Sequence, residues 1–143
     1  MNLRESWVLF AIGSAFFAGL TAVLGKFGVA GINSNLATLI RTVVILVVIA
    51  AIVSARNEWR PSAPIATHTW VFLILSGIAT GLSWLCYYRA LQLGPVTRVA
   101  PIDKLSVAFA IVLGLVFVGE ALSWPVVVGG LLIVAGSIVM IAF

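Results

Sequence analysis

The chain has 143 residues, of which 63% are hydrophobic and 8% charged, with a formal net charge of +4 and a mean hydropathy of +1.25. Soluble domains carry roughly 25% charged residues, so a water-soluble globular domain is excluded. The basic residues are scattered singly without a basic run, which excludes a nucleic-acid partner and leaves the lipid bilayer as the solvent of this protein.

Apolar stretches predict transmembrane helices over about 7–25, 36–55, 70–88, 99–119 and 124–143, each near the ~20 residues that cross ~30 Å of hydrocarbon. The fold class is therefore all-α, an integral membrane bundle of five helices in a single domain over 1–143. The first stretch follows Arg4 as a signal peptide would, but its apolar run exceeds the ~7–15 residues of a signal core, so it reads as a retained helix. Ala11, Ala15 and Gly19 recur along it at four-residue spacing, and Lys26 stands at its end. The segment Gly31-Ile32-Asn33-Ser34 then reads as a turn.

The second stretch carries Arg41, about 12 Å along the helix from Asn33 at ~1.5 Å per residue. A basic residue at the centre of a span costs ~2.5–3.5 kcal/mol, less toward the end, and is normally paired or turned toward a wet cavity. The connection RNEWRPSAPIATHT (56–69) holds two prolines and the single histidine, His68, which reads as a solvated loop residue. In the third stretch Gly77 and Gly81 form a GxxxG, and Trp84, Tyr87 and Tyr88 stand at i, i+3 and i+4, on one helix face. That face serves either as an interfacial belt and packing surface or as the wall of a ligand site. Cys86 is the sole cysteine, so an intrachain disulfide is impossible.

Gly94–Thr97 separates the third and fourth stretches. Pro101 is expected to preorganise the first turn of the fourth helix, placing Asp103 near the positive end of its dipole, where an acid gains about 0.3–1 kcal/mol. Lys104 points about 100° away, so the two are expected to need separate partners, Lys104 snorkelling to the headgroups. The last stretch has Gly129 and Gly136 seven apart, on one face. Close backbone approach along such small-residue ridges holds helices together in lipid, so Gly77, Gly81, Gly129 and Gly136 are the candidate packing and dimer positions.

An odd number of helices puts the termini on opposite sides. The N-terminal side then holds Arg4, Arg56 and Arg60 with Glu5, Glu58 and Glu120, and the other holds Lys26, Arg89, Arg98 and Lys104, plus Arg41, with Asp103 as its one acid. Trp7, Trp59, Trp70 and Trp124 mark the first side as an aromatic belt. Lysine and arginine set orientation, and this bias is too even to set one. Insertion both ways is expected, or one orientation enforced by a partner. Asp103 is the acid available to Arg41, with Lys26 and Arg89 competing for it. The surplus of positive charge either snorkels to lipid phosphates or forms a polar vestibule for the anionic or zwitterionic part of a solute. One histidine, one cysteine and no metal-ligand spacing give no catalytic or metal site, so an enzyme, a metal and a cofactor are not expected.

The residues GKFGV (Gly25–Val29), Arg41, YYRALQLGPVTRVAPIDKLS (Tyr87–Ser106), GEALSW (Gly119–Trp124) and GGLLIVAGS (Gly129–Ser137) make the chain resemble one EamA domain of the drug/metabolite transporter superfamily, over its whole length. The resemblance implies half of an inverted-repeat, ten-helix transporter, so a working unit would be an antiparallel pair with substrate at the repeat interface. The last helix also resembles the dimerising helix of the four-helix small multidrug resistance members, whose paired glycines correspond to Gly129 and Gly136. Those members carry a proton-coupling acid in the first helix where this chain has Ala18.

The expected function is a transporter of small metabolites or drugs, an exporter in the cell's inner membrane, working as an antiparallel homodimer by alternating access. Lys26, Arg41, Asp103 and Lys104 would handle the polar end of the solute, and Trp84 and Tyr88 its apolar part. The alternative is a non-transporting membrane subunit, or a half-transporter that scaffolds or requires a related partner.

Overall fold

A computed structural model describes residues 3–61 and 63–142. The expected helix end at Phe143 lies outside them, as do the side chains of Arg4 and Glu5 in the charge count. The fold is all-α: α1 (Leu3–Gly28), α2 (Ser34–Ala55), α3 (Thr67–Leu93), α4 (Val96–Asp103), α5 (Ser106–Leu113), a π-helical segment (Gly114–Val118) and α6 (Trp124–Ala142). These make five stretches long and apolar enough to cross a membrane, Trp7–Gly28, Ser34–Ala55, Thr67–Leu93, Val96–Val118 and Trp124–Ala142. The chain divides into two compact units, Met1–Leu24 with Leu93–Phe143, and Gly25–Gln92.

In the Gly25–Gln92 unit the buried residues Val29, Ser34, Ala37, Thr38, Tyr88 and Leu91 gather where α1 ends, α2 begins and α3 ends. Asn33 caps α2, its side chain accepting from the Asn35 amide at 2.8 Å, which satisfies one of the open N–H groups of a first helical turn. Gly31 makes the preceding turn at φ +79°, where a side chain would be strained. Hydroxyls inside the spans return to their own helix: Thr38 donates to Ser34 O, Thr42 to Thr38 O and Thr80 to Ser76 O, at 2.8–2.9 Å. Polar side chains therefore reach lipid depth without orphaned donors. α3 runs five residues past the expected Tyr88, because Arg89 through Leu93 are good helix formers and the stop is set by Gly94-Pro95.

In the other unit α6 packs on α4 and α5. The fourth span is segmented rather than continuous. α4 begins at Val96, so Pro101 is its sixth residue and not a first-turn residue. Pro101 has no N–H to give, and the backbone tightens just beyond it: Lys104 N bonds Pro101 O, Leu105 N bonds Ile102 O, and Val107 N bonds Lys104 O, each at 3.0 Å. These are three-residue steps of the 3₁₀ kind. Ser137 of α6, 4% exposed, lies 2.8 Å from Ile133 O and 3.0 Å from Pro101 O, so one hydroxyl proton is shared between its own helix and the tightened turn. The span ends in the π-helical segment, closed by Gly119 at φ +73°.

The glycines of α6 divide by face. A Cβ on Gly130 would stand 2.9 Å from Ile111 Cδ1, whereas one on Gly129 or Gly136 would meet nothing within 4 Å. α5 and α6 also leave an apolar groove of about 260 Å³ lined by Ile111, Leu115, Leu122, Val126, Gly130 and Val134. Gly130→Leu should therefore lower stability by about 1–3 kcal/mol, the usual cost of overpacking, read as a shift in the midpoint of unfolding in mixed detergent. Gly130→Ala should cost far less, because the Ile111 δ-methyl can rotate away; equal effects of the two would contradict this packing.

Candidate solute-binding site

The site is built on the Gly25–Gln92 unit. Gly25 lets α3 come close: Leu91 Cδ1 would lie 3.3 Å and the Tyr88 hydroxyl 3.4 Å from a Cβ there. One residue on, Lys26 Nζ donates to Leu91 O, in the last turn of α3. A fixed positive charge at the negative end of a helix dipole is stabilising, so Lys26 has a structural bond at the position where sequence suggested a solute contact.

Gln92 ties the same corner. Its Nε2 donates to Val29 O at 3.1 Å and to Ile32 O at 2.6 Å, while its Oε1 accepts from Arg89 Nη1 at 3.0 Å. The amide thus straps the α1–α2 turn to the end of α3 and fixes the Arg89 head. Lys26, Val29, Ala30, Gly31, Leu91 and Gln92 bound a pocket of about 290 Å³ there. Sequence reasoning gave Gln92 no role. The available signal was an amide two residues before a Gly-Pro helix stop, where carbonyls need donors.

One turn back along α3 from Tyr88 stands Trp84, and α2 brings Arg41 to both. The Arg41 Cζ lies over the Trp84 ring at 4.0 Å from its centroid, and 5.4 Å from that of Tyr88. Tyr88 is buried, and Arg41 and Trp84 are half-buried. Tyr87 packs its ring 6.4 Å from that of Tyr88. Of the face read as Trp84, Tyr87 and Tyr88, two rings therefore hold the cation. Such stacking is worth about 0.5–1 kcal/mol when exposed and ~2 when desolvated, against ~2.5–3.5 kcal/mol for a basic residue at mid-span. The rings offset part of that cost. The unit has one acid, Glu58, which is paired with Arg56 at 2.8 Å, beyond the far end of α2 from Arg41. Within its own unit Arg41 has no carboxylate.

Asp103 and Lys104 belong to the other unit. Asp103 ends α4, so the expected gain from a helix N-terminus does not arise. The adjacent pair, expected to need separate partners, does meet: Lys104 Nζ lies 3.5 Å from Asp103 Oδ2. The helix stops at this point, and the long lysine folds back over the turn. Both side chains are well exposed, at 53% and 38%, so the pair contributes little stability. A Cβ on Gly77 or Gly81 of α3, as on Gly129 or Gly136 of α6, would meet nothing within 4 Å in its own unit.

The chain is similar to known proteins along nearly all of its length. The model of the EamA-like transporter family matches residues 5–142. A Sinorhizobium sp protein named "Uncharacterized transporter in cobO 3'region" is 52% identical over 141 residues, 99% of this chain and 100% of that protein. No solved structure matches.

Proposed function

Because the chain belongs to the EamA-like transporter family, within the drug/metabolite transporter superfamily, we propose that it exports small metabolites or drugs as an antiparallel homodimer working by alternating access. It is a multi-pass integral membrane protein with five candidate spans, and the ten-helix inverted repeat of larger transporters would be assembled from two copies. The observation that carries the pairing is the near-even basic charge: Arg4, Arg56 and Arg60 at one end of the spans, against Lys26, Arg89, Arg98 and Lys104, with Arg41 about two turns into α2, at the other. So small a bias lets single charges decide orientation. The relative named as a transporter is aligned over its whole length, which supports transport by chains of this length. In this reading Arg41, with Trp84 and Tyr88 against it, serves the polar end of the solute.

A C-terminal reporter read on both sides of the membrane tests the pairing. Comparable signals on the two sides are expected, and one added lysine in the 56–66 loop should shift most of the population to one orientation. A single orientation that such a charge leaves unmoved would refute the homodimer and point to an oppositely oriented partner. Direction is tested in the same cells, where expression should speed the loss of preloaded solute; faster uptake with unchanged efflux would refute export.

A further inference from the structure

Resting on the transporter reading, the geometry points to the chemical class of the solute group that Arg41 receives. Three cations, Lys26, Arg41 and Arg89, stand toward the same end of the Gly25–Gln92 unit, where α1 and α3 finish and α2 begins. The unit's one acid, Glu58, is spent on Arg56 beyond the other end. Lys26 is bonded to Leu91 O and Arg89 to Gln92. Arg41 differs from both. Its guanidinium is held by the Trp84 and Tyr88 rings, and a ring face offers no lone pair to an N–H. The planar fork is thus oriented without its hydrogen-bonding capacity being consumed.

We propose that Arg41, cradled by Trp84 and Tyr88, is an oxyanion-receiving site for a carboxylate or phosphate group. A fixed guanidinium offers such a group two parallel N–H bonds. The surrounding positive charge, undiluted by an acid of the same unit, draws it in. The half-buried setting screens the pair less than water would. A neutral amide of the same shape gains the ring contact but not the charge, so the site discriminates by charge. The oxyanion could belong to the solute or to a lipid headgroup, and the two sources are separable.

The test uses the full chain with Trp84 as its one tryptophan (Trp7, Trp59, Trp70 and Trp124 replaced by Phe), purified in a maltoside detergent that carries no phosphate. Trp84 emission is titrated with butyrate, with its neutral counterpart butyramide and with inorganic phosphate. The titrations are repeated in nanodiscs of phosphatidylcholine with and without phosphatidylglycerol. A saturable response to butyrate or phosphate in detergent, at least tenfold weaker for butyramide and absent in Arg41→Gln, supports the site with a solute oxyanion. A response confined to phosphatidylglycerol supports the site with a lipid one. Equal responses to butyrate and butyramide, or a response that survives Arg41→Gln, overturn it. An anion response that emerges only in Asp103→Asn overturns it too, because Asp103 would then be the partner of Arg41. Should the single-tryptophan chain fail to fold, the melting temperature of the native chain in butyrate and butyramide gives the same contrast. Flux is separate: anion binding without transport of any solute would sink the transporter reading and leave the site, and transport without anion discrimination would do the reverse.

Discussion

Arg41→Gln is expected to cut carboxylate flux through reconstituted vesicles by roughly 10-fold to 150-fold, while making the chain easier to insert and harder to unfold. The two effects have opposite signs because Arg41 is costly to the fold. A basic residue deep in a span costs up to ~2.5–3.5 kcal/mol, of which the half-buried contact with Trp84 at 4.0 Å returns about 0.5–2. Glutamine removes the charge and its cost and keeps a shorter, uncharged polar head. A charge-assisted hydrogen bond to a solute oxyanion contributes about 1.5–3 kcal/mol, and each 1.4 kcal/mol is tenfold in affinity, which gives the range for flux. Arg41→Lys should fall between the two, since a lysine keeps the charge but loses the planar fork that stacks on Trp84. Flux in Arg41→Gln equal to that of the native chain would remove Arg41 from the solute path.

If the chain pairs as proposed, replacing Gly129 and Gly136 together by leucine is expected to dissociate the proposed homodimer while leaving the monomer's fold intact. A Cβ on either glycine would meet nothing within 4 Å, so α6 itself has room for a side chain to start at both positions. In lipid, helices associate through close backbone approach at small residues, and each inserted leucine should cost the pair about 1–3 kcal/mol by overpacking, or roughly 5-fold to 150-fold in association. Gly130→Leu is the matched control, because a Cβ on Gly130 would stand 2.9 Å from Ile111 Cδ1 of the same chain. It should weaken the fold and spare the dimer. Disulfide capture between single cysteines on α6, or subunit exchange in detergent, reads the outcome. Dimers that survive the double substitution would place the interface elsewhere, with Gly77 and Gly81 of α3 the next face to test.

How far residue patterns could be read depended on the range of the interaction. The five spans were legible because a helix crossing hydrocarbon needs a length and a composition, both local properties. Gly31 and Asn33 announced the α1–α2 turn for the same reason, since φ +79° and a capping oxygen depend on the residue itself. Arg41 stood out as an ion in the wrong solvent, and Trp84 and Tyr88 as rings on one face. That these three meet could not be read from either helix alone.

The fourth span was misjudged where local rules conflict. Pro101 suits a first helical turn, but here the helix had begun at Val96, upstream of it. The 3₁₀ step that follows is braced by Ser137, 36 residues away, a partner no local window contains. Gln92 was overlooked because its value lies in the carbonyls of Val29 and Ile32, 63 and 60 residues back. Sequence by itself determined the solvent of this protein, the number of its spans, its family likeness and the isolated cation within α2, because each follows from the transfer energy or backbone preference of residues taken in short runs. Tertiary structure alone decided that Arg41 rests on rings rather than on an acid of its own unit, that Lys26 and Gln92 close the α1–α3 corner, and which glycines face inward. Those facts depend on which faces of distant helices come within a few ångströms, and contact energy falls away too steeply with distance for spacing along the chain to foretell it.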